Sequence, residues 1–437
     1  MKTILPILLF FTLTVSLIAC DKSDSPKLQG DVQVREASLN LTCSDRKNSE
    51  TMIDRPIVIM ISIDGFRADY MQKIKPANLM KIAKEGIYSP GMIPSYPTHT
   101  YPNHFTLVTG RRPSNHGILS NYFFDEARKE TYNAFGDSSA DGTWYQGDPI
   151  WNVVEKNGMI AHTNQWVANE VHVNGQDPTC YAPYSSKVTT AQRVNVVMDW
   201  LKLPAEKRPH YINTYVAIVD SAGHANGPDS KEVKDAVLEV DREIGRLWNF
   251  IRTSELPINL VIVSDHGMQE NYQDKIIFLG DKANLSGFKW SDKGAAVMLY
   301  HEDDEKVAKA YKDLKAKENN YKVYLRKNIP AEFHLSNNDR VGDILVVSEP
   351  GHYMTDRTFN SDKPYRVGGG SHGWPVTNKS MHALFIAAGS HITKRRANIP
   401  EFNNIDVYPF VMEILGVTTT VPFDGSVETL RPYVLVD

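Results

Sequence analysis

Short, uninterrupted apolar runs constrain this chain more than any other feature of its sequence. They occupy Pro56 to Ile63, Tyr211 to Val219, Ile258 to Val263, Ala295 to Tyr300, Asp343 to Val347 and Ala383 to Ala387. A strand with one face in water alternates apolar and polar residues, whereas a run that is apolar throughout belongs to a strand covered on both faces. Helical periodicity separates these runs. It is clearest from Ser230 to Thr253, where Val233, Val237, Val240, Ile244, Leu247, Trp248 and Ile251 recur at spacings of three and four. Ser230 supplies an N-cap side chain for that helix. Further helices are predicted at Pro76 to Glu85, Ala191 to Leu203, Lys306 to Lys317 and Asp406 to Leu415. Strands and helices therefore alternate, and the predicted fold is a three-layer α/β/α sandwich with a largely parallel central sheet.

The ends of the runs carry the chemistry. The first run closes in Ile63-Asp64-Gly65-Phe66-Arg67, and the third in Ser264-Asp265-His266-Gly267. Asp220-Ser221-Ala222-Gly223-His224 follows the second, and Gly370-Ser371-His372-Gly373 precedes the last. Open α/β sheets bind ligands at the carboxyl ends of their strands, so these acids and imidazoles fall where a site is expected. Taken singly, an Asp-Gly is most often a turn and a histidine a surface residue. Jointly, Asp64, Asp220, His224, Asp265, His266 and His372 amount to two sets of three oxygen and nitrogen donors, the number a catalytic zinc site takes while keeping one position open.

Composition bears on what the chain acts upon. Of 437 residues 41% are hydrophobic and 23% charged, which is enough to build a sizeable core. The net charge is -4 and the basic residues are scattered, which argues against a nucleic-acid polymer as partner. Lys2, an apolar run from Ile4 to Ile18, and Leu17-Ile18-Ala19-Cys20 read as an export signal, residues 1–20, ending in a bacterial lipobox-like sequence. On that reading Cys20 carries a lipid anchor, residues 21–52 form a flexible tether, and residues 53–437 form one catalytic domain, exported to the periplasm or cell surface and held on a membrane. Cys43 and Cys180 remain; they either pair or stay separate thiols, because the sequence does not supply their distance.

Between the acid-bearing runs lies Pro97-Thr98-His99-Thr100-Tyr101-Pro102-Asn103-His104-Phe105-Thr106-Leu107-Val108-Thr109-Gly110, followed by His116-Gly117-Ile118 and Asn121. With Asp64, this fragment resembles the nucleotide pyrophosphatase/phosphodiesterase family of the alkaline-phosphatase superfamily, and the resemblance runs in order from roughly Ile57 to Gly389. It implies that Thr100 is the nucleophile of a phosphodiester or pyrophosphate hydrolase working through a covalent phosphothreonine. It implies two divalent metal ions, zinc being favoured by the histidines: one held by Asp220, His224 and His372, the other by Asp64, Asp265 and His266 with Thr100 in contact. Asn121 matches an asparagine that hydrogen-bonds a phosphate oxygen, with the backbone amide after Thr100 assisting. Tyr101 and Tyr184 match aromatic positions that sandwich a nucleobase or another distal moiety of a small substrate. Two departures bear on specificity. Ile218-Val219 stand where the family has Glu-Pro, and Gln165-Trp166-Val167-Ala168 replace its Trp-Pro-Gly segment.

Three rivals remain. A threonine-type phosphomonoesterase would need extra cationic groups for a more highly charged phosphate, and no compact Lys-x-Arg pair lies between Asn121 and Asp220. A sulfatase would need a Cys/Ser-x-Pro-x-Arg pattern at the nucleophile. A catalytically silent binding module would have lost ligands, and here all are present.

Overall fold

Ile57, Ile59, Ile61 and Ile63 face one hydrophobic core, and Val58 and Met60 face another. The strand Ile57–Ile63 is thus buried on both sides, which is why its sequence does not alternate. A computed structural model, describing residues 39–335, 338–360, 362–394 and 397–435, shows how the rest of the chain is arranged around it. The expected signal and the anchor residue Cys20 lie outside the described residues.

The central sheet runs Thr42–Cys43, Cys180–Ala182, Ala161–Asn164, Tyr211–Val216, Ile57–Ile63, Ile258–Val263, Ala383–Gly389, Ile87–Ile93, Ala397–Asn398, with Phe402–Asn403 also paired to Ile87–Ile93. Five neighbours, from Cys180–Ala182 through Ile258–Val263, are parallel, and Ala383–Gly389 runs against them. Helices Thr100–Thr109, Ile150–Lys156 and Val407–Leu415 cover one face, inserting Phe105, Trp151 and Phe410. Helices Ala77–Glu85, Thr190–Leu201 and Lys231–Arg252 cover the other, inserting Leu79, Val197 and Leu247. Ser230 caps the last of these, its hydroxyl accepting from Val233 N–H. The fold is the expected alkaline-phosphatase-like α/β/α sandwich.

Three details differ from the sequence reading. The runs at Ala296–Tyr300 and Ile344–Ser348 belong to a separate antiparallel sheet, ordered Lys289–Trp290, Ala296–Tyr300, Ile344–Ser348, Tyr321–Leu325. They are apolar throughout because Val297, Leu299 and Val346 pack under helix Asp304–Ala316, while Met298, Tyr300 and Leu345 join the core of the main body. The run Tyr211 to Val219 is strand only to Val216, and helix Ile218–Asn226 takes over. The expected tether of residues 21–52 is too long at its far end. Leu39 is buried, Thr42–Cys43 pairs with Cys180–Ala182, and Cys43 and Cys180 form a disulfide across that pairing. Asn48 donates to the Ala205 and Arg208 carbonyls and accepts from Ile160 N–H, so a polar segment folds by bonding to backbone.

Candidate active site

All the singled-out acids and imidazoles meet at the carboxyl edge of the parallel strands. Asp64 directly follows Ile57–Ile63, and Asp265 and His266 follow Ile258–Val263. Asp220 and His224 lie four residues apart on helix Ile218–Asn226, a spacing that puts both on one face. Ile218 and Val219 open that helix and pack into the core, so the change from Glu-Pro leaves Asp220 in place. His372 comes from the turn after Gly370–Ser371.

Two clusters result, Asp220 with His224 and His372, and Asp64 with Asp265 and His266; within each, the donor atoms lie within 4.8 Å of one another. Backbone carbonyls fix the imidazoles. His224 Nδ1 is 2.9 Å from the Gly370 carbonyl, His372 Nδ1 2.7 Å from that of Thr98, and His266 Nδ1 2.9 Å from that of Gly267. A carbonyl only accepts, so each Nδ1 carries the hydrogen and each neutral ring turns its Nε2 lone pair inward. The Nε2 atoms of His224 and His372 face each other at 3.1 Å. Around them Asp64 Oδ1, Asp220 Oδ1 and Asp265 Oδ2 are buried without a hydrogen-bond partner. Lone pairs crowded in this way repel one another, and a cation between them removes the repulsion.

The titration behaviour follows. Burial, then the Asp265 and Asp220 charges, push the Asp64 carboxyl well above its usual range, and burial also raises Asp220. Burial, reinforced by His266 and His224, drives His372 well below the usual imidazole value. Against burial, contact with His266 and His104 holds Asp265 low, and contact with Asp265 lifts His266.

Thr100 is the first residue of helix Thr100–Thr109, its Oγ1 3.2 Å from His266 Nε2. Asn121 Oδ1 accepts from the Tyr101 backbone N–H at 2.9 Å, which ties the Asn121 side chain to the start of that helix. The amide after Thr100, expected at the phosphate, therefore holds Asn121 instead. Tyr101, Tyr184 and Asn121 line a cavity of about 280 Å³ together with Thr100, Asp64, Asp220, His224 and His372. Tyr184 is 49% exposed and stands against Tyr215, with the Arg193 guanidinium 5.5 Å from its ring centre.

Several residues here were not picked out in the sequence. Tyr215 O–H donates to Asp64 Oδ2. His104 bridges Ser62 Oγ and the Thr100 carbonyl and lies 3.4 Å from Asp265 Oδ2. Gln165 takes Ser185 N–H on its Oε1 and has its Nε2 buried without partner beside the cavity, which Glu170 and Phe135 also line. His104 stood inside the Thr-Tyr-Pro-Asn-His fragment and Gln165 inside the segment already noted as a departure; Tyr215, Glu170 and Phe135 carry no local signal.

Known proteins are similar to this chain. Residues 58–375 match the model of the type I phosphodiesterase / nucleotide pyrophosphatase family. An uncharacterised pyrophosphatase/phosphodiesterase of Schizosaccharomyces pombe is 32% identical over 88% of this chain and 82% of its own length. Mouse ectonucleotide pyrophosphatase/phosphodiesterase family member 1 is 30% identical over 94% of the chain, which spans only 47% of that relative. Among solved structures, an inactive variant of murine ectonucleotide pyrophosphatase/phosphodiesterase 5 in complex with AMP has a TM-score of 0.80. It is 27% identical and covers 87% of this chain and 100% of its own. With most of its length matched to that family model and its chain path shared with a member's structure, this chain belongs to the type I phosphodiesterase / nucleotide pyrophosphatase family.

Proposed function

We propose that the protein hydrolyses phosphodiester or pyrophosphate bonds of small substrates, nucleotides among them, through a covalent ester on Thr100. The observation that carries this reading is the convergence of six acid and imidazole side chains, three with orphaned buried oxygens, on one threonine hydroxyl at a helix start. The donor set fits two divalent ions, with Asp220, His224 and His372 holding one and Asp64, Asp265 and His266 the other; the three histidines favour zinc. When bound, such ions supply Lewis acidity, easing ionisation of a hydroxyl or water and offsetting phosphoryl charge.

The chain's own residues do the rest. Thr100 Oγ1, its proton lost to water, forms the new bond to phosphorus as the bond to the leaving oxygen breaks, and the departing oxygen takes a proton from water. Asn121 Nδ2, aimed by the Tyr101 amide, donates to a phosphoryl oxygen as charge builds there. Water then opens the phosphothreonine on the same line of attack, so two displacements leave the configuration at phosphorus unchanged. Tyr101 and Tyr184 flank the moiety that stays on the phosphate. A cavity reaching past the phosphate site toward these rings supports a diester over a monoester, which would leave it unfilled.

We also read the chain as exported and tethered to a bacterial membrane through a lipid on Cys20. The Cys43–Cys180 disulfide supports an oxidising compartment.

The test compares a nitrophenyl ester of thymidine 5′-monophosphate with nitrophenyl phosphate on zinc-loaded protein. Strong preference for the diester, lost by roughly 10³-fold or more in Thr100→Ala, is the expected outcome. Preference for the monoester would make this a threonine-type phosphatase.

A further inference from the structure

A carboxylate from the antiparallel sheet reaches into the main body beside the nucleophile. Asp292 lies between strands Lys289–Trp290 and Ala296–Tyr300 of that sheet. Its Oδ2 accepts from two groups of the main body, Ser120 Oγ at 2.5 Å and Tyr122 N–H at 2.9 Å. These two residues flank Asn121. Asp292 N–H in turn donates to the Tyr122 carbonyl at 3.1 Å, so the clamp works in both directions. Ser120 has one hydroxyl hydrogen and gives it to the carboxylate, which only accepts. Ser120 Oγ, 2.6 Å from His99 Nδ1, therefore accepts from that ring. His99 and Ser120 are buried, and His99 immediately precedes Thr100. The bond from Tyr101 N–H to Asn121 Oδ1 closes the ring of contacts. Among the described residues no lysine or arginine pairs with Asp292; its neighbour Lys293 pairs with Asp356 at 2.8 Å.

We propose that Asp292 is a positioning residue for phosphoryl transfer, holding Asn121 in register with Thr100 from a sheet that contributes no other group to the reaction. The proposal rests on the phosphodiesterase reading of Thr100 and Asn121. The Tyr101 amide fixes one atom of Asn121 and leaves the side chain free to swing about it. Clamping the residues on either side fixes the backbone it swings from, and a donor to a phosphoryl oxygen works only when it is held in place beforehand. The arrangement has an electrostatic cost. Asp292 lines a cavity of about 380 Å³ with Asn121, His224 and His372, so its charge faces the region of the proposed phosphate site and opposes an arriving anion. A group that hinders the anion's arrival yet orders its donor has a kinetic signature. Its removal lowers kcat and does not raise KM.

The test is a double-mutant cycle on the full chain: wild type, Asp292→Ala, Asn121→Ala and the two combined. For each, kcat and KM are measured on the nitrophenyl ester of thymidine 5′-monophosphate, and divalent metal bound per chain on the same preparation. Asp292→Ala is expected to lower kcat roughly tenfold with KM unchanged or lower, and to cost nothing further in the Asn121→Ala background. An equal loss in both backgrounds, a raised KM with kcat intact, or loss of bound metal overturns the proposal. Ser120→Ala removes one of the two donors, leaves the carboxylate in place, and repeats the cycle with the same expected and contrary outcomes. Asp292→Asn keeps an acceptor oxygen without the charge and is expected to recover part of the lost kcat; a loss as large as that of Asp292→Ala overturns the proposal. Absence of turnover by wild type overturns the phosphodiesterase reading itself, and full kcat in Asn121→Ala overturns the role of Asn121 and the proposal with it.

Discussion

Gly65 shows how closely the site residues are set. Its φ is +66°, and a Cβ placed on it would lie 2.9 Å from the Cα and Cβ of Asp220, while its N–H donates to Asp265 Oδ1 at 3.1 Å. Gly65→Ala is therefore expected to strain the backbone and push Asp220 away from His224 and His372. The measurement is divalent metal bound per chain by elemental analysis, which should fall from the proposed two toward one. Asn121→Ala should keep both ions yet lose roughly 10²-fold in kcat, because it removes only the donor aimed by the Tyr101 amide. At this scale residue type at strand ends singled out Asp64, Asp265 and His266, which the fold brings together, whereas Thr100 was reached only through the family resemblance. Tyr215 and Glu170 were hidden because what they face depends on which way a strand or turn points them.

The helix Thr100–Thr109 owes its position to Asn103, a residue of the nucleophile fragment that does no chemistry. Asn103 Nδ2 donates to the Ser95, Pro97 and His99 carbonyls, and its Oδ1 accepts from Ser95 N–H and Asn404 Nδ2. The side chain is fully buried, and replacing it leaves several backbone groups unpaired. Asn103→Ala is expected to lower the melting temperature, at a cost of about 1–3 kcal/mol for each unsatisfied group, and to reduce kcat by displacing Thr100. An unchanged melting temperature would show that the loop has another support. Elements were the most readable level, since strands buried on both faces and an amphipathic helix such as Lys231–Arg252 declare themselves locally. Which sheet a strand joins is not local: Ala296–Tyr300 and Ile344–Ser348 look like central strands because they too are covered on both sides.

On the scale of the molecule, stability should depend on acid, on the disulfide and on metal. Burial drives His116 and His162 down to about 3, against an ordinary 6.5. His116 Nδ1 accepts from Ile118 N–H, and His162 Nδ1 is buried without partner, so neither ring can add a proton cheaply in the fold. Between pH 6.5 and 3 the unfolded chain binds protons that the native chain refuses. Stability is thus full above about 6.5 and falls as pH drops through that window, by up to ~1.4 kcal/mol per pH unit for each ring. Melting curves from pH 7.5 to 4.5 check this. The Cys43–Cys180 disulfide links residues 137 apart, so Cys43→Ser with Cys180→Ser should cost about 2–4 kcal/mol and fray the sheet edge first. Removing divalent ions should abolish turnover and lower the melting temperature, because the two clusters regain their repulsion. The most direct test of the central claim is stereochemical: hydrolysis of one diastereomer of a phosphorothioate diester in ¹⁸O-labelled water. Two displacements through Thr100 predict retention of configuration at phosphorus, and inversion would contradict a covalent threonine ester.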